Sequence, residues 1–144
     1  MSMYRRILVV VDLTEGSAII GRRAQALAAA TGAEIQLLHV VEFVPVEPMG
    51  ETLMPAVQIE DELIERARNR LRTLATEMGV PETNARVEAG NVKSEIVRAA
   101  RELGADLIVL GSRERHGVSI LVNFTEDTVL HAAPCDVLAV RVGR

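Results

Sequence analysis

Ile7-Leu8-Val9-Val10-Val11 is an uninterrupted apolar run and, apart from Leu8, β-branched throughout. Alternating polar residues would give such a strand a solvent face, and there are none. The run therefore fits a strand buried on both sides, as in a parallel sheet with helices above and below. Similar runs recur at Ile35–Val41, Leu107–Leu110 and Val137–Val142, with a shorter one at Ala85–Ala89. Helical patterns separate them. Thr14–Thr31 is alanine-rich, with Thr14 or Ser17 as N-cap candidates and Gly32 as its stop. In Ile59–Met78, residues Leu63, Ala67, Leu71, Leu74, Ala75 and Met78 keep helical spacing, and Gly79-Val80-Pro81 ends the pattern. Val92–Leu103 places Ile96, Val97 and Ala100 inward and stops at Gly104. Strand and helix alternate, which predicts parallel βαβ units with right-handed crossovers.

The chain has 144 residues, enough for one domain with a proper core. Aromatic residues are 2% of it, so the core is built from Val, Leu, Ile and Ala. The same scarcity argues against single-stranded nucleic acid, which needs stacking platforms. A net charge of −4 argues against general binding to nucleic acid or anionic membrane. Cys135 is the only cysteine, which excludes an internal disulfide and any multi-cysteine metal site. The apolar run near the N-terminus stops at Asp12, too soon for a signal peptide, and no run has the length to cross a bilayer. A cytoplasmic location is the expectation.

Glu42–Gln58 breaks the alternation. It holds Pro45, Pro48, Gly50 and Pro55 among apolar residues and keeps no regular period, so it reads as an insert. Two roles are open for it, a lid over the domain's own core or one wall of a ligand pocket or partner surface. The arginines at 66, 68, 70 and 72 stand two apart on a helix and point in different directions, so they read as a solvated face.

In open parallel sheets, ligands sit beyond the carboxyl ends of the strands, where strand order reverses. Those ends carry Asp12, Val40-Val41 and Gly111-Ser112. Asp12 follows three valines, where a carboxylate must be solvated or paired. It either caps the next turn through the N–H groups of Thr14 or Glu15, or meets a ribose or base. Gly111 ends its strand and needs an unusual backbone angle or a close neighbour. Arg113, Arg115 and His116 follow it, either as ordinary solvated loop or as an anion clamp, with Glu114 among them offsetting part of the charge. His39 reads as a satisfied near-core residue, His131 as a helix-end residue and Cys135 as a small buried thiol. The histidines lack metal-ligand spacing, and no nucleophile–base pair stands out, so no catalytic residue and no metal is assigned.

Four segments together carry a family resemblance. They are Tyr4-Arg5-Arg6-Ile7-Leu8-Val9-Val10-Val11-Asp12-Leu13-Thr14, Leu37-Leu38-His39-Val40, Asp106-Leu107-Ile108-Val109-Leu110-Gly111-Ser112, and Pro134-Cys135-Asp136-Val137-Leu138-Ala139-Val140. In this order they resemble the universal stress protein family over the whole chain. The resemblance implies a Rossmann-like α/β fold. Its sheet is open, parallel and five-stranded, in order 3-2-1-4-5 with helices on both faces, as in the adenine nucleotide alpha hydrolase-like folds. It also implies a homodimer joined through the last strand, Val137 to Val142.

One branch of that family binds ATP through Gly, two residues, Gly, eight or nine residues, then Gly followed by Ser or Thr. Gly111 matches the first glycine. Glu114 stands at the second, and Asn123-Phe124 or Phe124-Thr125 at the third glycine and its hydroxyl partner. Two of the three glycines are therefore replaced, which implies weak or absent ATP binding. Asp12 and Val40, where family members contact the adenosine half, are intact. The expected function is a non-catalytic, dimeric stress-response module with a degenerate nucleotide site, a regulatory protein partner that the sequence does not name, and no required cofactor. The alternative is an adenine-nucleotide switch that uses Asp12, Val40, Gly111, Ser112, Arg113, Asn123 and Thr125. A slow ATPase is the third reading.

Overall fold

The structure, a computed structural model, describes residues 3–14, 16–42, 53–112 and 129–142, with the side chains of 53–59 left aside. Five strands form one parallel sheet: β1 (Arg6–Val10), β2 (Glu34–Glu42), β3 (Ala85–Gly90), β4 (Leu107–Ser112) and β5 (Asp136–Arg141). Their spatial order is β3-β2-β1-β4-β5, as the family resemblance implies. The helices are α1 (Ser17–Thr31), α2 (Leu53–Met78) and α3 (Val92–Leu103), with a helical turn at 129–132 before β5.

β1 is the centre of the sheet, and its doubly apolar run is used on both sides. Ile7, Val9 and Val11 face one core with Leu37, Leu107, Val109 and Val140, closed by Ile20 and Ala24 of α1 and Ala67, Leu71 and Ala75 of α2. Leu8 faces the other core with Leu38, Ile108 and Leu110, closed by Ile96, Ala99 and Ala100 of α3 and by Val129. Alanine and glycine on the helices let them lie close. A Cβ added at Gly21 of α1 would stand 3.0 Å from the Met78 sulfur of α2. Gln25 Nε2 also donates to the Met78 carbonyl at 2.8 Å.

Four expectations need correction. First, α2 begins at Leu53, so part of the expected insert is helix. Pro55 reads as a breaker in sequence but falls in the first turn, where its missing N–H has no intrahelical acceptor to lose. The rest of that insert, 43–52, lies outside the described residues. Second, Leu63 is exposed, although it keeps the apolar spacing of α2. Among the described side chains of α2 the buried positions are Ala67, Leu71 and Ala75, a row at helical spacing that begins one turn after Leu63. Third, Val97 of α3 is half-buried rather than inward, because Ile96, Ala99 and Ala100 take the core face. Fourth, Cys135 is half-buried rather than buried.

The amino end of the sheet is stitched by acids. Asp106 accepts from the Arg5 and Arg6 N–H groups at 2.9 and 3.1 Å, and Arg6 Nη1 donates to the Leu103 carbonyl at 2.7 Å. Tyr4 donates its hydroxyl to Asp136 at 2.9 Å, tying the chain start to the start of β5. That hydrogen bond, with lesser help from burial and the charges of Asp136 and Asp106, holds the Tyr4 phenol above its ordinary value of 10.0. A raised phenol pKa favours the neutral form in the fold. Its contribution is present below pH 10 and is lost as pH rises through the folded value. Tyr4 is the one tyrosine and there is no tryptophan, so phenolate absorbance reports it alone. The titration midpoint is expected above 10.0 and should fall back towards it in Asp136→Asn. A native midpoint at or below 10.0 would reject the Tyr4–Asp136 contact.

Candidate functional site

Parallel strands put all their carboxyl ends on one side of the sheet, and the order reverses between β1 and β4. At that point β1 is the short strand. Its last register pairs are Val10↔Leu38 with β2 and Val9↔Val109 with β4. β2 continues to Glu42 alongside β3, and β4 continues to Ser112 alongside β5. The neighbours thus outrun the central strand, leaving a notch walled by the ends of β2 and β4. The turn from Val11 to Thr14 is its floor.

That turn is held from several elements. Val11 donates its N–H to the Leu38 carbonyl at 2.9 Å. The Val11 carbonyl lies 2.7 Å from His39 Nδ1. A carbonyl only accepts, so Nδ1 carries the hydrogen, and His39 is the half-buried, satisfied residue expected from sequence. Asp12 Oδ1 accepts from the Thr14 N–H at 3.0 Å, the Thr14 hydroxyl at 2.6 Å and the Ser17 hydroxyl at 3.3 Å. Neither Thr14 nor Ser17 is the N-cap of α1. Gly16 occupies that position without a side-chain bond, and both hydroxyls donate to the Asp12 carboxylate. Ser17 is the buried polar residue of the described core.

Between these contacts Leu13 has φ 61°, the one positive φ among described non-glycine residues. The left-handed region costs such a residue about 1–2 kcal/mol. Its side chain is buried in the first core, and its carbonyl accepts from Arg70 Nη2 of α2. Sequence reasoning placed Arg70 on a solvated face. Arg68 and Arg72 do pair outward, with Glu65 and Glu82, but Arg70 reaches the floor of the notch. Nothing local marks it, because its partner is 57 positions away.

The other site residues divide. Val40 is buried in the second core. Gly111 does not end its strand. It pairs with Val140, and Ser112 pairs with Arg141, because β5 extends the ladder that far. Its need for glycine is a close neighbour rather than an unusual angle. An added Cβ would stand 2.9 Å from Ile20 Cδ1 and 3.4 Å from Val142 Cγ2. Asp12, Val40, Gly111 and Ser112 thus border the notch. Arg113, Asn123 and Thr125 lie outside the described residues, as do Glu114, Arg115, His116 and Phe124. At the far end of β5, burial first, then the charges of Asp136 and Asp106, push the Cys135 thiol up, which leaves it a poor nucleophile. Among the described residues, no group of three or more His, Cys, Asp or Glu is placed to hold a metal, and no helix is long and apolar enough to cross a membrane.

Removing the Asp12 carboxylate takes away the acceptor of the Thr14 N–H and of the Thr14 and Ser17 hydroxyls. Asp12→Ala should lose about 1–2 kcal/mol in urea unfolding. Asp12→Asn keeps an acceptor oxygen and should lose less. Unchanged stability in Asp12→Ala would show that the carboxylate does not hold the turn.

Residues 3–141 match the model of the Universal stress protein family. Two proteins of Coxiella burnetii are similar over nearly their full lengths. Universal stress protein A homolog 2 is 35% identical, with 99% of this chain and 98% of that protein covered. Universal stress protein A homolog 1 is 36% identical, with 95% and 96% covered. Among solved structures, universal stress protein UspA from Lactobacillus plantarum has the same fold, with TM-score 0.80 and 23% identity over 98% of this chain and all of that one. A universal stress protein crystallised in complex with cAMP has TM-score 0.63 and 22% identity over 97% and 98% of the two chains. The chain belongs to the universal stress protein family.

Proposed function

We propose that this chain is a non-catalytic, dimeric stress-response module, one domain long, with a degenerate nucleotide site that binds ATP weakly or not at all. The observation that carries the reading is a mismatch between two halves of one site. The adenosine half has a preformed floor, with Asp12 fixed by Thr14 and Ser17 and with Val40 beside it. The phosphate half has Glu114, Asn123 and Phe124 where the ATP-binding branch of the family has small residues and a hydroxyl. A glutamate there brings negative charge and bulk towards phosphate. Losing one charge-assisted bond costs about 1.5–3 kcal/mol. Two such losses weaken ATP binding by roughly a hundredfold or more. The sequence offers no paired nucleophile and base, which puts a slow ATPase last.

The second reading is a nucleotide switch at Asp12, Val40, Gly111 and Ser112, with Arg113, Asn123 and Thr125 in place of the missing glycines. It is favoured by the similar protein crystallised with cAMP, a nucleotide with a single phosphate. Calorimetric titration with ATP and cAMP side by side separates the two. The lead reading expects an ATP dissociation constant far above low micromolar, and sub-micromolar affinity would overturn it. Under the same reading, Glu114→Gly, Asn123→Gly and Phe124→Ser together should raise ATP affinity by roughly a hundredfold. A folded triple variant with unimproved affinity would show that the glycine register is the wrong map for this loop.

The dimer follows from the sheet edge. β5 is the last strand of the sheet, and its Val137 and Leu138 are only half-buried. A second copy pairing along β5 would cover that edge by two-fold contact. Sedimentation at micromolar concentration should show a dimer of 15.6 kDa chains, and a monomer with and without nucleotide would remove this part of the reading.

A further inference from the structure

We propose that Arg70 is a positioning residue for the notch: its guanidinium holds the strained Leu13 peptide that fixes Asp12, and so couples helix α2 to the site. Its consequence for a ligand rests on the nucleotide reading above. Its structural part does not.

A non-glycine residue persists at positive φ only where its surroundings over-determine it. Three holds lie within the first two strands and the start of α1. Val11 is bonded on both sides to β2, through Leu38 and His39, and Asp12 closes the turn on Thr14. They hold the Val10–Val11 and Val11–Asp12 peptides and the N–H side of the Leu13–Thr14 peptide. The carbonyl side of that last peptide is held from α2, by Arg70 Nη2. An arginine suits this task. Its charge is permanent, and its planar fork keeps a donor aimed without a carboxylate partner. Arg68 and Arg72 bond to acidic groups near their own helix, whereas Arg70 crosses to a backbone carbonyl of another element. Without that bond, Leu13 has less reason to stay left-handed. If it relaxes, the Asp12 carboxylate leaves its place at the end of β1. By linkage, a ligand that engages Asp12 must then bias the packing of α2 by the same amount as α2 biases the ligand.

The test uses the whole chain by nuclear magnetic resonance, with Arg70→Ala, Arg70→Lys and, as a control on the same helix, Arg68→Ala. A strong contact between the amide and α-proton of one residue marks positive φ, and it reads Leu13 directly. Hydrogen exchange at the Thr14 amide reads its bond to Asp12. In Arg70→Ala the Leu13 signature should vanish and Thr14 exchange should rise about tenfold, with Val9 and Leu37 of the central strands unchanged. Arg70→Lys, which keeps a donor, should recover most of both, and Arg68→Ala should change neither. A folded Arg70→Ala with Leu13 and Thr14 as in the native chain overturns the proposal. So does a rise in exchange that is equal at Val9 and Leu37, since that marks a general loss of stability. In the ligand arm, Arg70→Ala should bind an adenine nucleotide about tenfold more weakly than the native chain. Equal affinity with the turn altered overturns the coupling. A native chain that binds no adenine nucleotide overturns the switch reading instead, and the Leu13 and Thr14 readouts still decide the role of Arg70.

Discussion

The central strand has no solvent side and is short, and the rest of the molecule follows from those two facts. Ile7, Leu8 and Val9 are fully buried, each facing a core closed by helices. A carboxylate cannot be carried further between β2 and β4 without solvation or partners. Asp12 therefore ends the buried run, and its exposed carboxylate immediately gathers the Thr14 and Ser17 donors. One residue both stops the strand and builds the turn. Because β2 and β4 are paired outward to β3 and β5, they do not need β1 to continue, and the notch is what remains.

Much of this was legible in the sequence because burial on both faces leaves an unambiguous apolar run. All five strands lie where such runs predict them, within a residue or two at each end. Gly32 and Gly104, with φ of 76° and 64°, cap α1 and α3 as glycine stops should. What was not legible depended on distance or on an ambiguous local signal. Pro55 reads identically as a loop breaker and as a first-turn residue of α2. Leu63 keeps its helical spacing whether or not it is buried. Gly111 reads as the end of a strand, but its neighbour is Ile20 of α1, and its strand is prolonged by a partner 29 positions later, Val140. At the site, Asp12 was visible because a lone acid after three valines is chemically conspicuous. Arg70 was not, since an exposed arginine in a row of arginines carries no sign of the carbonyl it serves.

The two halves of the proposed site would rest on different physics. The Asp12 side is fixed by backbone geometry and by side chains from β2, α1 and α2, so it exists before any ligand arrives. The phosphate side of a family site depends on small residues that let peptide N–H groups approach an anion. Its chemistry can therefore be lost through three or four substitutions without disturbing the sheet. A chain carrying Glu114 and Phe124 can keep the fold and the floor of the notch while its nucleotide affinity drifts. That separation is why membership of the family decides the architecture of this chain but does not decide its ligand.

The same separation governs the two edges of the sheet. β3 exposes one edge, and its Arg86 and Glu88 are locked into a lattice with α3. Arg86 donates to Glu88 and Glu102 at 3.0 Å, and Arg98 donates to Glu102 at 2.9 Å, to Glu88 at 3.1 Å and to Glu95. The hydrogen bond from Arg86 holds the Glu102 carboxyl below its ordinary range, so Glu102 keeps its charge further into acid than a free carboxylate. Pairs this exposed add little stability. Their effect is on what can approach, because an incoming strand at β3 would have to settle beside a row of fixed charges. β5, at the other edge, carries half-buried Val137 and Leu138. Of the two edges, β3 is the one lined by such fixed charges among the described residues. Pairing at one edge alone closes a dimer, whereas pairing at both would propagate into a fibre.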